Sequence, residues 1–249
     1  MCYSRRVSAN HVSKSKILRH SGVVRVTHWI TVVSFLALLI TGAEIAISHP
    51  RFYWGEVGNV NTRPLFTLPI PSSRGTVPTG YRFVMPDQNG WSRYLHFQAA
   101  WAVVLTGLVY AFASLWSGHF RKDLVPERCD RTWRAYWSRI AQYLRRAPPD
   151  PAETNSYNVL QRTAYLVVIF VLFPLVIWTG LAMSPSFVSA VPSAVTLLGG
   201  RQSARTIHFF VSGLLLLFLV VHVMMVAMSG FRSRMRSMIM GYPVSKERP

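Results

Sequence analysis

The 249-residue chain is 51% hydrophobic and 13% aromatic but only 14% charged, against roughly 25% charged residues in an ordinary soluble domain, so its composition excludes a soluble protein and points to a membrane one. A formal charge of +18 is compatible with nucleic-acid binding, but a basic excess gathered on one side of a membrane accounts for it, and no nucleic-acid partner is expected. Cys2 and Cys129 fall in different segments and form neither a C-x-x-C nor a C-x-x-C-H motif, which excludes a Cys-ligated iron–sulfur cluster and covalently attached haem.

Residues 1–25 carry Arg5, Arg6, Lys14, Lys16, Arg19 and Arg25 with no acid, and read as a cytoplasmic tail with a disordered start. As a signal peptide they would have too long a basic region and no small-x-small cleavage site, so the span that follows is expected to stay in place. That first span covers about 26–47, with His28 near its cytoplasmic end and Glu44 towards the other. Glu44 either snorkels to the interface or takes part in proton transfer. Residues 48–92 form a long external loop dense in Pro, Gly and Asn, in which Phe52, Tyr53, Trp54, Phe66 and Trp91 argue against disorder. A folded external cap is expected, serving either to lie at the lipid interface or to dock a soluble partner.

Span two covers about 94–116, with His96 at its outer end and His119 just past its inner end. In the cytoplasmic loop 117–158, the run RTWRAYWSRIAQYLRR sets Trp133, Trp137, Ile140 and Leu144 on one stripe among arginines. It reads as an amphipathic interfacial helix facing anionic membrane lipids, stopped by Pro148 and Pro149. Span three, about 159–183, contains no histidine and is expected to kink at Pro174. Span four, about 206–229, has no Asp, Glu, Lys or Arg but carries His208 and His222. Fourteen residues apart, these two share a helix face to within about 40° and stand about 21 Å apart along the axis.

Placing both termini, the loop 117–158 and Arg162 at the inner end of span three inside puts 20 of the 27 Lys/Arg on that side, so both termini are expected to be cytoplasmic. With that orientation His28 and His222 fall towards the cytoplasm and His96 and His208 towards the outside. An imidazole in hydrocarbon is costly without a partner. One reading is a set of hydrogen bonds across helix interfaces. The other is that each depth-matched pair holds one haem iron, with span four supplying a ligand to both and electrons crossing the bilayer between them. Zinc fits two such separated layers less well. Gly42, Gly107 and Gly213 lie on the three ligand-bearing spans, where they would either admit a porphyrin or serve ordinary helix packing. His11, His20, His49 and His119 read as surface or interfacial residues.

The stretch RHSGVVRVTHW leading to Thr41 and Gly42, the histidine opening span two and the His-x13-His of span four resemble the prokaryotic cytochrome b561 family. That family includes the membrane subunits of formate dehydrogenase, thiosulfate reductase and nickel–iron hydrogenase. The resemblance covers essentially all four spans. It implies an all-α, integral membrane four-helix bundle in the bacterial inner membrane, binding two haem b groups through His28, His96, His208 and His222. SYNVLQR, from Ser156 to Arg162, is similar to the family's K-Y-N-x-x-Q segment, which helps form a quinone site, and this implies quinone contacts at Asn158 and Gln161. Here Ser156 replaces the Lys, and Leu160 stands where the formate dehydrogenase subunit has Gly. Asn158 is equally well placed to cap the helix. The external HPRFYWGEVGN resembles the subset of the family that accompanies a periplasmic molybdopterin oxidoreductase. The function implied is a membrane-anchoring electron-transfer subunit between such a partner and the quinone pool, with two rivals: a stand-alone superoxide:quinone oxidoreductase and a haem-free membrane scaffold.

Overall fold

The computed structural model describes residues 21–59, 61–69, 88–118, 125–126, 131–145, 159–228 and 230–241. Among the described residues the fold is all-α, with four helices long and apolar enough to cross a membrane. Helix α1 spans Gly22–Ser48, α2 Gln88–Ser117 and α8 Arg201–Met228. The remaining span is composite: α4 Val159–Val167, a π-helical turn Val168–Leu172 and α5 Phe173–Ala182. The wide turn falls just before Pro174, whose ring clashes with the carbonyl one turn back and whose nitrogen cannot donate, so the helix opens there. At 24 to 28 residues the spans measure about 36–42 Å, enough to cross about 30 Å of hydrocarbon.

Helices α1, α2 and α8 start four to six residues before the apolar stretches that announce them. Backbone hydrogen bonding continues through polar residues that hydropathy assigns to loops, so α2 takes in residues 88–92 and α8 takes in Arg201 and Arg205.

The described residues of Val26–Val109 and Val171–Met225 form one compact unit. Its buried residues on α1, Thr27, Ser34, Thr41 and Ser48, recur every seven positions, and on α2 Ser92, Ala99 and Thr106 do the same. Small side chains at that period let helices approach closely and leave room for hydrogen bonds between them. Short strands β1 (Arg51–Phe52) and β2 (Phe66–Thr67) pair antiparallel in the segment between α1 and α2, and short helices α6 (Pro185–Ala190) and α7 (Ser193–Thr196) lead into α8.

Residues 49–59 and 61–69 form the folded cap expected from their aromatic content; 60 and 70–87 lie outside the described residues. Phe52 stacks on Phe66 with ring centres 4.7 Å apart and packs on Phe209 of α8 at 4.6 Å. The Gly55 carbonyl accepts from the backbone N–H groups of Gln202 and Ser203 at 3.0 and 3.2 Å. The Glu56 carboxylate accepts from Arg201 N at 2.9 Å, and Gly55 N donates to Ser203 Oγ at 2.7 Å. The cap therefore satisfies the orphan donors of the α8 N-terminus and sets a negative charge at its positive end. His49, read from sequence as a surface residue, is half-buried between two arginines. Its Nε2 is 3.3 Å from Arg93 Nη2, and its carbonyl accepts from Arg205. Burial first, then the charges of Arg205 and Arg93, hold its pKa below the ordinary value, against a backbone hydrogen bond with Ile45.

The second compact unit takes the described residues of Met1–Arg25, Tyr110–Phe170 and Val226–Pro249. In it α3 (Trp133–Leu144) is helical where the amphipathic run predicts a helix. Trp133 and Trp137 stack at 5.9 Å and are 79% and 60% exposed, while Tyr136 reaches Thr163 Oγ1 on α4 at 2.7 Å. A short helix α9 (Phe231–Met240) follows α8.

Candidate functional site

The first unit brings the four histidines into two pairs. His28 of α1 and His222 of α8 have ring centres 6.4 Å apart with planes at 61°, and His96 of α2 and His208 of α8 repeat both values. Helix geometry keeps the pairs in separate layers. Fourteen residues of α8 separate His208 from His222 by about 21 Å, and thirteen residues of α1 separate His28 from Thr41 by about 20 Å. Thr41 touches His96, so α1 and α8 span the same two levels in opposite directions.

The His96–His208 pair sits on two threonine–glycine steps. Thr41 Oγ1 lies 2.9 Å from His96 Nδ1, and Thr179 Oγ1 of α5 lies 3.0 Å from His208 Nδ1. The neighbouring glycines leave room for the rings: a Cβ on Gly42 would stand 3.5 Å from His96 Cε1, and one on Gly180 would stand 3.4 Å from His208 Cε1. These contacts also tie α1 to α2 and α5 to α8. The other pair is bordered by aromatic rings, with Trp29 edge-on to His28 at 5.6 Å and Phe218 stacked on His222 at 5.7 Å.

The spacing within a pair discriminates between two uses. Two imidazoles sharing a direct hydrogen bond of about 3 Å would have centres about 5 Å apart, whereas two bound end-on to one metal ion at about 2.0–2.1 Å would have them about 6.5 Å apart. The observed 6.4 Å fits the second. Among the described residues no three His, Cys, Asp or Glu side chains converge, so each pair supplies two donors, the number required by an iron whose other ligands come from a porphyrin. A Cβ on Gly107 or Gly213 would meet nothing within 4 Å, so the backbone there borders open space. Gly42 differs from that expectation, since it makes room for a histidine ring. The donor set fits haem.

The family model for prokaryotic cytochrome b561 matches residues 19–241. The chain belongs to the prokaryotic cytochrome b561 family. Membership makes it a membrane electron-transfer protein whose haem is of the b type. It is 29% identical over 222 residues, 87% of this chain and 94% of the relative, to the "Putative protein-methionine-sulfoxide reductase subunit YedZ1" of Azospira oryzae. It is 26% identical over 244 residues, 90% of this chain and 85% of the relative, to the "Probable Ni/Fe-hydrogenase B-type cytochrome subunit" of Cupriavidus necator. No solved structure matches it significantly.

Of the two residues that the family resemblance assigns to quinone, Gln161 is half-buried on α4 and Asn158 lies outside the described residues, as do His11, His20 and His119. Glu44 buries one carboxylate oxygen with no hydrogen-bond partner among the described residues, so it is not turned wholly to water. Sequence reasoning missed Thr41, Thr179 and Gly180 as parts of the site. Thr-Gly also occurs at 79–80 and 106–107, so the dipeptide alone does not single out the steps at 41–42 and 179–180.

Proposed function

We propose that this chain anchors an oxidoreductase in the bacterial inner membrane and carries electrons through two b haems between that partner and the quinone pool. The observation that carries the proposal is the two histidine pairs, alike in spacing and angle, at two levels of α8. His96 and His208 would hold the haem nearer the outer face, and His28 and His222 the one nearer the cytoplasm, with both termini cytoplasmic, an orientation the charge distribution supports. Iron held between two imidazoles cycles between ferric and ferrous states, which is the chemistry the haems supply.

The protein's part is to fix the imidazoles, keep water out of the hydrocarbon-facing layers and offer a place where electrons and protons meet. For that place the K-Y-N-x-x-Q resemblance supports Asn158 and Gln161, whose amides can donate to quinone carbonyls. The two named relatives are subunits of reductase and hydrogenase assemblies, which supports an oxidoreductase as partner. The form of HPRFYWGEVGN supports a periplasmic, molybdopterin-dependent one. Exposed Trp133 and Trp137 support lipid contact for α3.

Purified chain reduced with dithionite in lipid vesicles, freed of excess reductant and mixed with a soluble quinone analogue, tests this. Reoxidation of the α band that slows in Asn158→Ala and Gln161→Ala is expected. A reduced cytochrome indifferent to quinone would contradict it.

A further inference from the structure

We infer that Thr41 and Thr179 are positioning residues for His96 and His208: each hydroxyl fixes which ring nitrogen carries the proton and turns the bare nitrogen towards the space between the two rings. The inference rests on the proposed reading of that pair as axial ligands of one haem.

The proton assignment follows from donors and acceptors. A threonine hydroxyl has one proton to give and accepts through its oxygen. Thr41 Oγ1 lies 2.7 Å from the Ala37 carbonyl oxygen, and Thr179 Oγ1 lies 2.8 Å from that of Leu175. A carbonyl only accepts, so the hydroxyl proton goes there, a common arrangement for threonine inside a helix. What remains at each Oγ1 is a lone pair, and the Nδ1 atoms at 2.9 and 3.0 Å donate to it. In a neutral imidazole a protonated Nδ1 leaves Nε2 bare, and a bare nitrogen is what binds a metal.

The same contacts fix the ring planes. Thr41 and Thr179 are each 0% exposed and anchored to their own helix backbone, so the acceptor cannot follow a rotating ring. Gly42 and Gly180 bring that backbone against the Cε1 edge. Each ring is therefore seated on a Thr-Gly step from another helix, and the span without a histidine contributes one of the two steps. Donation from Nδ1 leaves more negative charge on the ring, which makes it a more basic ligand and favours the more positive, ferric iron. Loss of a hydroxyl is thus expected to raise the midpoint potential of this haem and leave the other unchanged.

The test uses the full chain in membranes with Thr41→Val and Thr179→Val, their Ser counterparts, and His96→Ala as a control. Redox titration of the two α-band components, the ferric low-spin EPR signals and the haem-to-protein ratio are read. The Val variants are expected to raise the same single midpoint and alter the same EPR signal, with roughly 10–100-fold weaker retention of that haem, while the Ser variants restore parent values. The second haem reports on folding. Unchanged potential and EPR signal in both Val variants would overturn the inference, and so would a haem loss that Ser does not repair. If His96→Ala keeps both haems, the ligand reading itself has failed, and the inference fails with it.

Discussion

Gly200→Ala should release the cap from α8. Gly200 has φ +109°, and a Cβ there would stand 2.5 Å from the carbonyl carbon and oxygen of Gly55 and 2.6 Å from Glu56 N. All three atoms are backbone, so no rotamer change relieves the clash. A side chain at such a φ costs of order 1–3 kcal/mol even in open space. Keeping the cap docked requires Gly55 to move, and the cheaper course is to let go. That forfeits Gly55 N to Ser203 Oγ, the Gly55 carbonyl with Gln202 and Ser203, and Arg201 N to the Glu56 carboxylate. Three neutral bonds at about 0.5–1.5 kcal/mol and one charged bond at about 1.5–3 give roughly 3–7 kcal/mol, more than two decades in the docking equilibrium. Gly55→Ala separates strain from clash, since Gly55 has φ +102° and nothing within 4 Å of a Cβ. Trypsin provides the assay. Arg51 is half-buried in β1 and is followed by Phe52, a bond trypsin can cut once it is freed. Cleavage after Arg51, relative to the parent chain, should accelerate strongly in Gly200→Ala and weakly in Gly55→Ala. Parent-like cleavage after Arg51 in Gly200→Ala would refute the docking described here.

Two further outcomes follow from the same structure. Burial first, then Arg205 and Arg93, hold the His49 pKa below 6.5 in the folded chain, so below about that pH the unfolded state binds more protons, and the stability His49 contributes is full above it and falls with acidification. The drop in melting temperature between pH 7.5 and 5.5 should be smaller in His49→Gln than in the parent; equal drops would contradict this. For α3, brominated lipids with shallow bromines should quench a component of tryptophan emission that Trp133→Phe/Trp137→Phe abolishes, and an unchanged quenching profile would place α3 away from lipid.

The four spans and their histidines were legible because hydrocarbon tolerates few polar groups, so an imidazole in an apolar run stands out. The depth matching of His28 with His222 and His96 with His208 follows from helix rise alone. Thr41 and Thr179 were not legible in the same way, because a threonine in a span is also an ordinary packing residue and satisfies itself on its own backbone. Their role exists only where α1 meets α2 and α5 meets α8. The grip of Gly55 and Glu56 on the α8 N-terminus was likewise hidden, since residues some 145 positions apart share no local pattern. Helix starts were misplaced by four to six residues because hydropathy marks the edge of the lipid, whereas backbone hydrogen bonds run past it.

The most direct measurement is the haem content per chain in the parent and in the four single His→Ala variants, taken from the haemochrome spectrum after purification. Two b haems in the parent and about one in each variant are the result the account predicts. Loss should follow the pairing: His96→Ala and His208→Ala remove one spectral component, and His28→Ala and His222→Ala the other. A parent carrying one haem or none, or a His208→Ala chain that retains both, would contradict it.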